Sequence, residues 1–305
     1  MANETERLLL VGDNPFHGIS HLSQERARAR SEQISFTEFA ANLVVSSIEN
    51  GANGFMFSVS ETTLSILQTV QKRIGDKPLG LYAIVPYAYE YVRIATQLGP
   101  VGLAKKLAQK IVLTGNSQAI FNGLKGVIRM DPEALMKTYL FYELSRIKSS
   151  AGKHMNIKSV MLHEVVTDML LALNADWLIK SFINFLFERK IKPGFETRNF
   201  VYLVNKFKEW DIDFSKILIA APFNKVGFQM VPSKEECEKA LAEVPESNTI
   251  AFSILAAGYL KLQEASEYMQ TLSNLKGVAV GVSKEHHARE TFTILEKRLN
   301  ESKTS

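Results

Sequence analysis

Leu8-Leu9-Leu10-Val11-Gly12-Asp13-Asn14-Pro15-Phe16-His17-Gly18 decides the fold. An apolar run of strand length, suited to burial on both faces, leads straight into polar and reactive side chains. Two later segments repeat the arrangement. Ser159-Val160-Met161-Leu162-His163 continues into Glu164, and Ile217-Leu218-Ile219-Ala220-Ala221 into Pro222-Phe223-Asn224-Lys225. Each run precedes a helical pattern. Reactive residues at the carboxyl ends of strands, each strand followed by a helix, are the arrangement of an eight-stranded β/α barrel.

Five further runs complete the set: Gly54–Ser58, Leu79–Val85, Pro193–Glu196, Thr249–Leu255 and Val278–Val282. Helical spacing separates them, as in Phe200, Leu203, Val204 and Phe207. Capping-box patterns stand at Ser35 with Glu38 and at Ser233 with Glu236. A break near Asn174-Ala175-Asp176 divides the helical region after strand four. The chain therefore reads as α/β, a single (β/α)8 TIM barrel over residues 1–300, with 301–305 a frayed polar tail. A helical insertion at about 87–150 is expected between strands three and four. It contains one pattern over Val92–Leu113, broken at Gly99-Pro100, and a second opening at Asp131-Pro132-Glu133, where proline suits the first helical position. The connection after strand one is also far longer than the usual ~2–6 residues, which suggests a lid or binding loop.

A chain of 305 residues with 46% apolar residues can bury a single barrel core. The net charge of +4 comes with no aromatic-interleaved basic stripe, so no nucleic-acid partner is expected. No apolar run approaches the ~20 residues that span a bilayer, and Met1–Arg7 lacks the charge pattern of a signal peptide. Cys237 is the sole cysteine, which excludes an intrachain disulfide and fits a cytoplasmic protein. Its neighbours Glu236 and Glu238, in a predicted surface helix, oppose thiolate formation. A homo-oligomer is compatible with all of this.

The strand ends supply the candidate catalytic residues His17, His163, Glu196 and Lys225. Histidine and glutamate can exchange protons, and a lysine can bind an anion or form an imine with a carbonyl. Asp13, His17, His163 and Glu196 together form a candidate divalent-metal set. Glu196 can instead serve only as the partner of Arg198. Alternation along a strand predicts that His163 and Glu164 do not both face the barrel axis. Substrate or phosphate contacts are expected from Asn14, Asn224, Gly258, Ser283 and Lys284, the last three lying beyond strands seven and eight, where barrels commonly hold phosphate. Arg28, between Arg26 and Arg30, is a further candidate for closing over an anion. Tyr82, Tyr87, Tyr89 and Tyr91 form an aromatic cluster that suits a ring, a sugar or internal packing. Glu285-His286-His287 reads as surface.

The carboxyl half resembles the aldo-keto reductases. The resemblance is carried by Val160-Met161-Leu162-His163, by Ile250-Ala251-Phe252-Ser253-Ile254-Leu255-Ala256-Ala257-Gly258-Tyr259-Leu260, and by Gly281-Val282-Ser283-Lys284-Glu285-His286-His287-Ala288-Arg289-Glu290-Thr291. It implies a role for His163 in polarising a carbonyl and for Ser283 and Lys284 in holding NADP. The amino half departs from the family. Ser58-Val59-Ser60-Glu61-Thr62 stands where the family has aspartate and tyrosine after strand two, and Val85-Pro86 where it has lysine. Three functions are thus expected in turn: a lyase, aldolase or isomerase acting on an anionic carbonyl or sugar-like metabolite; a diverged NAD(P)-linked oxidoreductase; or a non-catalytic binding protein.

Overall fold

The computed structural model describes residues 7–17, 37–87, 131–244, 248–272 and 274–301. Eight parallel strands close into a barrel in chain order: β1 (Leu8–Gly12), β2 (Gly54–Ser58), β3 (Leu79–Val85), β4 (Met155–Leu162), β5 (Lys192–Glu196), β6 (Leu218–Pro222), β7 (Thr249–Phe252) and β8 (Leu275–Val280). Closure comes from the pairing of β8 with β1, in which Leu9 faces Val278 and Val11 faces Val280. The helices around it are α1 (Thr37–Glu49), α2 (Glu61–Gln71), α3 (Pro132–Ser150), α4 (Glu164–Ala172), α5 (Asp176–Phe187), α6 (Phe200–Glu209), α7 (Lys234–Glu243), α8 (Leu262–Thr271) and α9 (Glu285–Glu301). No helix among the described residues is long and apolar enough to cross a membrane.

Two apolar layers follow from strand alternation. Leu10, Met56, Tyr82, Ile84, Met161, Leu218, Ala220, Ile250 and Ala279 fill the barrel interior. The alternate residues, among them Phe55, Phe57 and Phe195, pack outward against the helices in one continuous core. Burying each such large side chain contributes roughly 1.5–3 kcal/mol, which holds the strand ends rigidly in place.

β2 and β3 have the expected bounds, while β4 and β8 begin earlier than the apolar runs. At the start of β4, Asn156 is exposed while Met155 is buried, and the register with β3 shifts between Leu81 and Tyr82. At the start of β8, Gly277 allows a close approach to the Leu8 backbone that a Cβ would block. Here glycine serves packing between strands. β7 stops at Phe252 because Ser253 takes a left-handed backbone, φ 54°.

The helix start at residue 131 is borne out. Asp131 caps α3 by accepting from the amides of Glu133 (3.0 Å) and Ala134 (3.3 Å). α3 leads from β3 into β4 and packs against α2 and α5. The Val92–Leu113 pattern, Ser35, the Arg26–Arg30 cluster with Arg28, Tyr89, Tyr91 and the tail after 301 lie outside the described residues. The break before Asp176 separates α4 from α5 as expected, with Asn174 at φ 50°. Cys237 departs from its surface assignment. It is fully buried on the inner side of α7, its Sγ lies 3.4 Å from the Val231 carbonyl, and burial pushes its thiol up to about 11.

Candidate active site

A cavity of about 810 Å³ opens at the carboxyl end of the barrel. Its size falls within the range of about 300–1,000 Å³ usual for small-molecule sites. Met56, Ile84, Phe252 and Ala279 give it apolar surface, and the loops beyond β1, β4, β5, β7 and β8 supply the polar groups.

The β4–β5 wall is the most constrained part. His163 lies just past the last residue of β4 and caps α4, its Nδ1 accepting from the Val165 amide at 3.2 Å. A neutral imidazole with Nδ1 accepting carries its proton on Nε2. Burial holds the His163 pKa below the usual imidazole value, against the opposing charge of Glu164. Glu164 opens α4, and both residues line the cavity. Strand alternation does not separate them because the strand ends at Leu162.

Glu196, the last residue of β5, also lines the cavity. Its carboxylate accepts from the Glu164 amide at 3.3 Å. Desolvation first, and then the nearby Glu164 charge, push its pKa up to about 8. A carboxyl so placed keeps its proton at neutral pH. Arg198 pairs with Glu164 rather than Glu196, Nε donating to Oε2 at 2.6 Å. The turn that carries Arg198 is braced by Asp168, which accepts from Thr197 Oγ1 (2.5 Å) and Asn199 Nδ2 (2.8 Å). Burial raises the Asp168 pKa. Asp168 projects from the second turn of α4, where no strand-end signal marks it in the sequence.

The β1 side is built around Asp13, which is 4% exposed. One carboxylate oxygen accepts from the Ser58 amide at 2.7 Å and from His17 Nε2 at 3.0 Å. The His17 ring stacks on Tyr87 with centroids 4.8 Å apart. Asp13, Asn14 and Tyr87 line the cavity, whereas His17 stands behind them. Tyr82 belongs to the interior layer instead.

At the adjoining corner, beyond β7 and β8, Gly258, Ser283 and His287 line the cavity, and Lys284 does not. Ser253, Ala256, Ala257 and Gly258 all have positive φ, from 45° to 89°. The β6 loop behaves differently from its sequence signal. Asn224 is fully buried and staples its own loop, accepting from the Phe228 amide (2.7 Å) and donating to the Phe228 carbonyl (2.8 Å). Lys225 is half exposed, 3.9 Å from Glu264, and is not among the lining residues; among the described residues Lys261 is the lysine that lines the cavity. Among the described residues, no three His, Cys, Asp or Glu side chains are grouped so as to hold a metal ion. The set Asp13, His17, His163 and Glu196 is therefore split between two walls.

No protein-family model matches the chain, and no curated protein matches it by sequence. Solved structures do. Two structures described as a putative aldo-keto reductase from Pseudomonas aeruginosa superpose with a TM-score of 0.57 at 11% identity. The match covers 97% of this chain and 94% or 93% of theirs. The chain shares their barrel fold. The resemblance read from the carboxyl half thus extends in fold over nearly the whole length. At the end of β2 the amide of Ser58 is occupied by Asp13, and among the described residues the tyrosine that lines the cavity is Tyr87, two residues beyond β3.

Proposed function

We propose that this chain is an enzyme that moves protons on a small oxygen-bearing molecule at the barrel mouth, with Glu196 as the proton-carrying group. The observation behind this reading is a single one: Glu196, with its pKa raised to about 8, lines the same cavity as His163, whose pKa is lowered. Two groups whose environments push them in opposite directions are both neutral near pH 7, one as an acid and one as a base. Such a pair suits a lyase, aldolase or isomerase, in which a proton leaves one atom of a carbonyl or sugar-like substrate and another is delivered elsewhere. The Glu164–Arg198 pair holds its place beside Glu196, and Asp168 positions Arg198. An imine mechanism through Lys225 draws no support from its position.

The test is Glu196→Gln, which preserves shape and removes the ionisable proton. Turnover of a carbonyl and sugar panel, followed by proton NMR, is expected to fall about 10²- to 10⁴-fold. An unchanged rate in the folded variant would overturn the reading.

A nicotinamide-linked oxidoreductase is the second reading, favoured by the extension of the cavity along the loops after β7 and β8. Gly258 and Ser283 there fit an anionic cofactor, while Lys284 stands off the lining. Nicotinamide would supply hydride, and Glu196 or Tyr87 would hold the proton on the protein side. Titration of NADPH and NADH fluorescence decides this reading, since a flat response into the millimolar range would remove it.

A further inference from the structure

The outer face of α4 breaks the pattern of a surface helix. Such a helix ordinarily keeps charged and polar residues on the side away from the core. In α4 and its C-cap the exposed residues are Val165, Met169, Ala172 and Leu173, all apolar. The two charged residues of the helix are engaged elsewhere: Glu164 holds Arg198, and Asp168 accepts from Thr197 and Asn199. Val165, Met169 and Leu173 stand four residues apart, so they lie one above another on one side of the helix over about 12 Å. Trp177, in the first turn of α5, continues the exposed apolar run along the chain, and α6, which packs against α4, carries the exposed Tyr202.

Size, symmetry and charge say what suits this face. Val165, Met169, Leu173, Trp177 and Tyr202 are 43–69% exposed. Together they present roughly 400–500 Å² of largely apolar surface. One side of a standard protein interface covers about 800 Å², of which about 56–65% is apolar, close to the same amount. Single exposed apolar residues are ordinary, whereas an apolar helix face of this size marks an interaction surface. The stripe is also balanced about Met169, with Val165 one turn before it and Leu173 one turn after. A two-fold interface presents the same patch from both subunits, so the patch must suit itself when reversed, and this stripe does. The charged residues next to it in sequence stand as ion pairs, Glu164 with Arg198 and Asp176 with Lys180. A second copy approaching there sets no unpaired charge of these residues against its like.

We propose that two copies of this chain associate through α4, antiparallel about a two-fold axis at Met169, with Val165 packed on the partner subunit's Leu173. Trp177 and Tyr202 border the contact. The proposal is independent of the acid–base reading of the cavity and touches the site only through His163, which caps the same helix.

Sedimentation velocity of the full chain between about 1 and 100 µM tests it. A species of twice the 34.2 kDa of one chain is expected. Met169→Glu sets two carboxylates face to face at the axis and is expected to weaken association at least about 100-fold. Residue 169 is 50% exposed, so the variant should keep its fold, which circular dichroism checks. Met169→Cys is expected to give a disulfide-linked dimer under mild oxidation, and Lys239→Cys, exposed on α7, is not. A wild type that is monomeric throughout the range overturns the proposal, the face then belonging to the chain's own residues 18–36 or 88–130 or to an unlike partner. A dimer left intact by Met169→Glu, or a Met169→Cys variant that cross-links no better than Lys239→Cys, would place the contact elsewhere and overturn it equally.

Discussion

The β4–β5 wall and the β6 loop begin from the same kind of sequence signal and end in opposite situations. Each is an apolar strand followed by a reactive residue. At β4 and β5 the strands stop at Leu162 and Glu196, and the next residues turn inward, so that His163, Glu164, Glu196 and Arg198 share one cavity. At β6 the strand runs one residue further, to Pro222. Asn224 then spends its amide on closing the loop, and Lys225 points toward Glu264. A strand end places a residue near the mouth, but the first loop residues decide whether its side chain reaches the cavity.

This contrast can be broken at several points. The largest effect is expected from Glu196→Gln on activity, as described above, together with a change in pH dependence. With Glu196 as acid and His163 as base, the wild-type rate should rise with pH through a value below the usual 6.5 of histidine and fall again near 8. Glu196→Gln should abolish the upper limb. Stability carries the same signature. A carboxyl with a raised folded-state pKa binds more protons folded than unfolded between the ordinary carboxylate value and about 8, so the native state loses stability as pH rises through that window. Wild type should lose melting temperature relative to Glu196→Gln between those limits, and parallel melting curves at all pH values would contradict the burial of this carboxyl.

Asn224→Ala should come next, with a loss of about 1–3 kcal/mol in urea unfolding, because it leaves the Phe228 amide and carbonyl without their partner. Substrate affinity in the folded variant should not change; a specific loss of affinity would return Asn224 to the site. Glu164→Gln tests the coupling within the wall. Removing that negative charge should lower the Glu196 pKa below about 8, as seen by carbon-13 NMR titration of the carboxyl. A pKa unmoved or raised would mean that the Glu164 charge does not help to hold the Glu196 pKa up. The smallest effect is expected at Lys225→Ala. An exposed pair of this kind contributes about 0–1 kcal/mol, and both stability and turnover should stay close to wild type. A large fall in turnover would place Lys225 in the chemistry after all.

The misreadings share physical causes. β4 and β8 were legible only where both faces are apolar, since the exposed Asn156 and the glycine at 277 break the pattern that marks a buried strand. Asp168 gives no signal because it acts through space on Thr197 and Asn199, 29 and 31 residues away. The adjacency of His163 and Glu164 on one cavity depends on where β4 ends, a position that strand alternation cannot supply.

What the sequence alone determined is the barrel: eight apolar runs separated by helical spacing, with Asp13, His163 and Glu196 at or just beyond their strand ends. Local patterning suffices for this, because each run must bury both faces and each helix one. Tertiary structure alone decided which of those residues meet. Glu164 faces Arg198, Asp13 bridges to Ser58 while holding His17 behind Tyr87, and Lys225 turns away. Those outcomes depend on strand register, on loop turns and on desolvation by distant parts of the chain, and none of these is carried by the neighbours of a residue in sequence.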